Sequence, residues 1–521
     1  MSSSEIQFKY PGARASVVGE ADGLTDAELW DLARRTTEIA QRIGRQGERK
    51  PYRDVYRSAA LSQVDRVKKV AARLLKAKRY DDVVVLGIGG SALGLTALAT
   101  ALLPPYWNLL PKRRRRGYPR LWVMDNVDPD EFQAMMDLID PHRTLFVVIS
   151  KSGGTAETIT QFLVAMEVVK GCAGRAWQKH FVIITEPQRG LLRPVANALK
   201  MESFAIDPGL GGRWSVLAPV GLFPAAMVGM DVDGLLAGAG SMDKACTSAD
   251  FAVNLAAQGA AVQIGLYQLK GKTMTVMMPY AAALKDVADW FRQLWAESLG
   301  KARPDGTRVG QTPIKALGVT DQHSQVQLYR EGPNDKVFTI LSVENFGSPL
   351  PVEEMPPTLQ GFDYLRGRSM KQLLKDEERA TLWALAALSK RPTVQFTLPQ
   401  VTARAIGALF YTLMVQTSIA GEMLGIDAYN QPGVEAGKEA ARALAGKSGP
   451  IPEKDRIKAG LPPEFATYEY LRARIEKRPL SRGRPSRASD SARAGRAARA
   501  AARRSGRRRA GLPTQRVAPT P

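Results

Sequence analysis

The sequence predicts an α/β protein made of two parallel-sheet halves, and three observations carry that expectation. Short β-branched runs (Val83–Leu86, Leu145–Ile149, Phe181–Thr185) alternate with segments of helical period in the first half. A second alternation of the same rhythm begins after about Asp233. Two strands run straight into Gly/Ser turns, GIGGS (Gly87–Ser91) and SKSGGTAET (Ser150–Thr158). Turns of that kind, at the carboxyl ends of parallel strands, are where open α/β sheets hold ligands.

The elements follow in order. Residues from Asp22 to Leu75 read as helical, with Thr25 as an N-cap, Glu28 three residues on, and Leu29, Leu32 and Ile39 on one face. A further helix, Ser62 to Lys76, repeats Val64, Val67, Val70, Ala71 and Leu74. Strand Val83–Leu86 meets the first glycine turn, and a helical pattern follows from Ala92. The stretch Val83–Trp107 carries no charge, but its glycine turn and Pro104-Pro105 break argue against a membrane span. The basic run Lys112–Arg116 reads as a solvated loop, with phosphate contact as the sharper alternative. Strands at Leu121–Met124, Leu145–Ile149 and Phe181–Thr185 and a helix at Leu191–Leu199 complete the first half. The second half has strands at Thr273–Met278, Val337–Val343 and Thr393–Leu398. Its helices are Asp289–Arg303, Lys371–Ser389 and Thr402–Leu424, the last nearly apolar throughout and therefore buried.

At 521 residues the chain exceeds one ordinary core, and an apolar share of 45% is that of a soluble protein. Two cysteines, Cys172 and Cys246, form no disulfide framework and fit a reducing cytoplasm. The opening residues, Met1–Ser16, lack the apolar centre of a signal peptide. The net charge of +22 suggests nucleic-acid binding until it is located. Fourteen Lys/Arg and one acid, Asp490, lie from Lys477 onward, so thirteen of those charges sit in the tail. From Arg478 the composition is Arg, Ala, Ser, Gly and Pro, too poor in large apolar residues to offset ordering entropy. Disorder is expected there, with nonspecific polyanion contact as its one implied interaction.

The chemistry-bearing motifs point to a phosphorylated ligand. GIGGS fits neither the dinucleotide fingerprint nor a P-loop, yet strand, glycine turn and helix start present N–H groups to an anion. In SKSGGTAET the hydroxyls of Ser150, Ser152 and Thr155 can surround phosphate oxygens. GGRWS (Gly211–Ser215) offers Arg213, either a surface cation or, turned inward, a partner for a developing oxyanion. In QLWAESLGK (Gln293–Lys301), Gln293, Glu297 and Lys301 fall four apart on one helical stripe. That stripe is either a solvated Glu–Lys pair or, beside Trp290, Phe291, Leu294 and Trp295, a partly desolvated general base. His323 stands among Asp321, Gln322 and Ser324, and NQPGVEAGK (Asn430–Lys438) ends on Lys438. His142, His180 and His323 show no metal-ligand spacing.

Taken in order, GIGGS, SKSGGTAET, GGRWS, ESLGK, DQHS and QPGVEAGK resemble the glucose-6-phosphate isomerase family in its shorter bacterial form, over roughly residues 20 to 445. The resemblance implies two sugar-isomerase (SIS) domains, each a parallel-sheet αβα sandwich, a cytoplasmic homodimer, a sugar-phosphate substrate, and no metal or cofactor. Together with the composition change at Arg478, the resemblance sets the expected boundaries 1–60 (helical segment), 61–232 (first SIS domain), 233–447 (second, with the Lys438 helix), 448–477 (connection) and 478–521 (disordered tail, outside the family pattern). It also implies roles. Glu297 would move the proton between the first two sugar carbons. His323, lent by the partner subunit, would assist ring opening with the catalytic Lys438 nearby, and Arg213 would stabilise the cis-enediolate. Ser91, Ser150, Ser152 and Thr155 would hold phosphate, with Gly90, Lys151 and Gln431 lining the site. Gly153-Gly154 depart from the bulkier residues of the commoner SKTFTTQET pattern. That departure keeps a bifunctional glucose/mannose phosphate isomerase as an alternative, beside a sugar-phosphate-binding regulator without catalysis.

Overall fold

The structure is a computed structural model that describes residues 6–45, 50–57, 63–354, 356–434 and Lys438. The chain divides into two units, Met1–Gly433 and Val434–Pro521. The connection 448–477 and the Arg-rich tail lie outside the described residues. Both sheets belong to the first unit.

β1 (Gln7–Lys9) precedes α1 (Asp26–Gly44), which opens on the expected capping box between Thr25 and Glu28. After α2 (Val64–Lys76) comes the first sheet: β2 (Asp82–Leu86), β3 (Arg120–Met124), β4 (Thr144–Ile149), β5 (Phe181–Thr185) and β6 (Glu202–Ala205). It is parallel throughout, in the order β3-β2-β4-β5-β6. The crossovers are α3 (Leu93–Leu102), α4 (Pro129–Leu138), α5 (Ala156–Ala173) and α6 (Leu192–Ala198). Both faces are covered. Val83 and Val85 of β2 enter one apolar cluster, and Val84 and Leu86 enter another. Burial on both faces is why the strand reads as an uninterrupted apolar run.

Three helices, α7 (Pro219–Met227), α8 (Val232–Cys246) and α9 (Leu255–Lys270), lead to the second sheet. Its first parallel strand is β7 (Met274–Pro279), followed by α10 (Lys285–Leu299) and a small antiparallel pair, β8 (Lys301–Ala302) with β9 (Arg308–Val309). Then come β10 (Thr312–Lys315), α11 (Val326–Glu331), β11 (Lys336–Asn345), α12 (Met370–Trp383), β12 (Thr393–Gln400) and α13 (Ala403–Leu424). The sheet order is β1-β12-β11-β7-β10, parallel except for β1. Counted from its own first parallel strand, each half runs second, first, third, fourth. The expected duplication is thus present in topology.

Several expectations needed correction. The helix read as Asp289–Arg303 begins at Lys285 and stops at Leu299, with Gly300 as its C-cap, so Lys301 leaves the stripe of Gln293 and Glu297 and lies on β8. The helix read as Lys371–Ser389 ends at Trp383, and its last turn widens to a π-turn over Ala384–Leu388. The run Lys112–Arg116 is only partly solvated: Arg115 is buried and donates to Leu110 and Tyr118 carbonyls, and Lys112 pairs with Asp81.

One buried cation ties the N-terminal helices to the shared core. Arg53, in the short helix Pro51–Arg57, is 2% exposed. Its Nε donates to Asp243 on α8 at 2.9 Å and to the Tyr411 hydroxyl on α13 at 3.2 Å, and its Nη1 donates to the Ile43 carbonyl. Removing the carboxylate leaves a buried guanidinium without its counter-charge. Asp243→Ala is therefore expected to cost about 3–5 kcal/mol in urea unfolding, and a loss well under 1 kcal/mol would show that the remaining hydroxyl and carbonyl partners suffice.

Candidate functional site

The first sheet reverses its winding between β2 and β4. The chain leaves β2 for β3 on one side and later returns to β4 on the other. A crevice opens at such a switch point, outside the carboxyl ends of the two strands. GIGGS leaves β2 there and SKSGG leaves β4. The turns are adjacent: a methyl group at Gly87 would sit 2.9 Å from Ser91 Cβ and 3.3 Å from the Ile149 carbonyl.

Hydroxyls gather in the second turn. Ser150 Oγ and Thr155 Oγ1 are 2.8 Å apart, Ser152 Oγ and Thr155 Oγ1 3.4 Å, and Gly154 N–H donates to Ser152 Oγ at 3.3 Å. Thr155 is the N-cap of α5, but its hydroxyl serves Ser150 and Ser152 rather than the N–H groups of its own helix. Those groups and the helix's positive end are thus left to a ligand. Beside them Lys151 is half-buried. Burial pulls its ammonium below the ordinary lysine range, against the opposing pull of Glu186 and Asp207.

The GGRW turn seats directly on GIGGS. A Cβ at Gly90 would lie 2.2 Å from the Gly212 carbonyl carbon and 2.4 Å from Arg213 N, so only glycine allows the contact. That contact turns Arg213 inward, where its side chain is 1% exposed. Nε donates to Ser298 Oγ at 2.7 Å, and Nη1 donates to Gln431 Oε1 at 2.7 Å and to Glu297 Oε2 at 3.4 Å. Nη2 donates to the carbonyls of Ala428 at 2.7 Å and Asn430 at 3.0 Å. Burial draws this guanidinium below its ordinary value, and Glu297 and Asp427 oppose the shift.

Glu297 sits on the last turn of α10, with its side chain about one-third exposed at 34%. Trp290, Phe291, Leu294 and Trp295 anchor that helix in the core. The other carboxylate oxygen, Oε1, accepts from Gln293 Nε2 at 3.2 Å. The same Nε2 would lie 3.0 Å from a Cβ at Gly89, so α10 touches the first glycine turn. An accessible carboxylate beside a buried guanidinium, next to an anion cradle, can move a proton while the cation steadies the oxygen that gains charge.

Sequence reasoning missed Ser298 and misplaced Lys301. Ser298 orients the guanidinium. Lys301 donates its Nζ to the carbonyls of Asp427 and Asn430, so it clamps the same 427–431 segment that Arg213 holds. Burial, then the nearby charge of Arg213, lowers the Lys301 ammonium to about 8. The break in helical register at Gly300 was the available signal.

The structure does not join His323 to this cluster. His323 is exposed, and among the described residues its ring makes no hydrogen bond. Its turn is nonetheless fixed: Tyr280 donates to Gln322 Oε1 at 2.7 Å, Gln322 Nε2 donates to Glu377 at 2.8 Å, and Asp321 accepts from Leu317 N–H at 2.7 Å. Lys438, helical and exposed, belongs to the second unit. Ser91 is half-buried in its turn.

Comparison with known proteins agrees with this reading. The family model of phosphoglucose isomerase matches residues 59–454. The chain is 43% identical over 390 residues to a glucose-6-phosphate isomerase of Carboxydothermus hydrogenoformans, covering 74% of this chain and 83% of that one. It is 39% identical over 369 residues to one from Thermus thermophilus, covering 70% and 84%. Among solved structures, a hypothetical protein from Thermus thermophilus superposes with a TM-score of 0.74 at 33% identity, covering 84% of this chain and 99% of that one. A glucose-6-phosphate isomerase from Chlamydia trachomatis shares the fold at a TM-score of 0.72 and 20% identity, covering 91% and 92%.

The contact between the two glycine turns is open to a direct test. Gly90→Ala is expected to force the GGRW turn off GIGGS and to cost about 1–3 kcal/mol of stability. A urea midpoint unchanged from wild type would show that the turns separate without strain.

Proposed function

The chain belongs to the phosphoglucose isomerase family, and on that footing we propose that it interconverts D-glucose 6-phosphate and D-fructose 6-phosphate through a cis-enediolate. The observation that carries this reading is the pairing of the accessible Glu297 carboxylate with the buried Arg213 guanidinium, beside the hydroxyl-rich switch-point crevice. Ser91, Ser150, Ser152 and Thr155 hold the phosphate, with Gly90, Lys151 and Gln431 around them. In the open-chain aldose, Glu297 takes the proton from C2. The C–H pair becomes the C1=C2 bond, and the carbonyl π pair moves onto O1, where Arg213 offsets the charge. Glu297 returns the proton to C1, and the O2 hydroxyl proton passes to O1, which leaves the ketose.

His323 keeps the ring-opening role, with Lys438 near it, that the family resemblance implies. An exposed imidazole on a braced turn suits service in a partner subunit's crevice. A homodimer is also supported by an apolar stripe on α5, where Leu163, Val164 and Val168 are 50%, 48% and 41% exposed. We place the enzyme in the cytoplasm, in keeping with two free cysteines, and among the described residues no helix is long and apolar enough to cross a membrane.

Two outcomes test the site. Glu297→Gln is expected to lower kcat by about 10²–10⁴-fold and to abolish solvent-deuterium incorporation into fructose 6-phosphate, while that sugar still binds. Turnover and exchange at the wild-type rate would remove Glu297 from the base role. The second concerns pH. Lys301 is a cation below about 8 and neutral above it, so its charge-assisted hold on the 427–431 segment weakens as pH rises through that value. KM for fructose 6-phosphate is expected to rise severalfold from neutral pH to well above that point, and Lys301→Arg, charged throughout, should flatten the rise. A wild-type KM that stays constant across this window would refute the clamp.

A further inference from the structure

The amino edge of the first sheet holds a second cluster that the isomerase reaction does not use. The segment Lys78–Asp81 enters β2, and the segment Lys112–Pro119 enters β3. Between them lies a cavity of about 350 Å³. GIGGS leaves the opposite end of β2, and SKSGG leaves that same end of the neighbouring β4. Five residues of β2 separate the two edges, which is roughly 16 Å of extended chain.

The cavity has an apolar floor and a cationic rim. Leu74, Leu75 and the buried Met227 form the floor, with Tyr118 beside them. Lys78, Arg79, Lys112 and Arg116 contribute the rim, and among the described residues no carboxylate lines the cavity. Most of this charge is uncompensated. The side chains of Lys78 and Arg116 are exposed and make no ion pair with the described residues. Lys112 meets Asp81, but that carboxylate is shared with Arg143.

Arg79 is held in place by a neutral group. His180 Nδ1 lies 2.9 Å from the Thr144 carbonyl and so carries the ring proton, leaving Nε2 to accept from Arg79 Nη2 at 2.8 Å. The guanidinium is thus fixed in direction while its full charge remains. Cations that repel one another around an apolar floor are costly unless an anion joins them. The size falls at the lower end of the roughly 300–1,000 Å³ typical of small-molecule sites. The chain's own tail, with fourteen Lys/Arg from Lys477 onward, has the wrong sign to fill it.

We propose that this cavity binds a nucleotide-like organic phosphate, its flat apolar body on Leu74, Leu75, Met227 and Tyr118 and its phosphate on Lys78, Arg79 and Arg116. The site is separate from the substrate crevice, and its occupancy does not depend on the isomerase reaction. Its floor adjoins the catalytic turn in sequence, because Met227 ends α7, the helix that follows GGRWS.

Calorimetric titration of the full chain with AMP tests this, with and without saturating fructose 6-phosphate. AMP is expected to bind in both cases, with adenosine and inorganic phosphate each weaker by at least about tenfold. The Lys78→Gln/Arg116→Gln double variant should weaken AMP by about tenfold or more while turnover stays within about twofold of wild type. Absence of AMP binding, its displacement by fructose 6-phosphate, or undiminished binding by the double variant would overturn the site. Inorganic phosphate binding as tightly as AMP would overturn the role of the apolar floor.

Discussion

A guanidinium sealed from water dictates the arrangement of this crevice. Arg213 has lost its hydration, so its donors must be met by protein, and the groups that meet them come from two distant stretches. Glu297 and Ser298 arrive from the end of α10, and Ala428, Asn430 and Gln431 arrive from the segment after α13. The glycine contact between residues 90 and 212 adds the first-sheet turn. Satisfying one charge therefore fixes the mutual position of the anion cradle, the carboxylate and the segment leading toward Lys438. Arg213 is aimed before any substrate arrives, so little reorganisation is left for the moment when charge develops.

Much of this was legible in the sequence because local chemistry and burial agreed. β2, β4 and β5 are buried on both faces and read as plain apolar runs within a residue of their observed bounds. The Thr25–Glu28 cap and the turns after β2 and β4 were equally direct, since each is a short-range signal. Arg213, Glu297 and the Ser/Thr hydroxyls were singled out by residue type and position alone. The Arg213–Glu297 contact and the seating of the GGRW turn on GIGGS could not be, because each joins residues far apart in the chain, a long-range fact that no spacing encodes.

What stayed hidden has equally physical causes. β10 is an edge strand of four residues with Pro313 inside it, a pattern that reads as loop. α9 is buried nearly all round from Ala256 to Leu266, so it shows no amphipathic stripe. Lys301 looked like the third member of a helical stripe because the helix was extended through Gly300, and the C-cap there moved it to another task. The basic run before β3 was read as solvated. In the structure Arg115 is buried under it, and two of its cations border a cavity with residues forty positions away, a grouping that only the sheet order creates.

The repeated topology raises a further question: why, in the proposed function, a chain with two switch points should grip phosphate at one of them. The turn after β7 answers it. Tyr280-Ala281-Ala282-Ala283 offers only one side-chain hydroxyl, that of Tyr280, and it is committed to Gln322. The second half thus spends its switch-point turn on bracing the loop that carries His323, while α10 delivers a carboxylate to the crevice of the first half. The two frames share a strand order, and the side chains on their switch-point turns differ. In the proposed function one frame binds the anionic end of the sugar and the other contributes groups that act on its carbonyl end. Such a division explains why both halves must share a single apolar core: the cluster that contains Val83 and Val85 also contains Val337 and Leu341. A hinge between the frames would let the carboxylate drift from the carbon it must reach, and a continuous core holds the two in register.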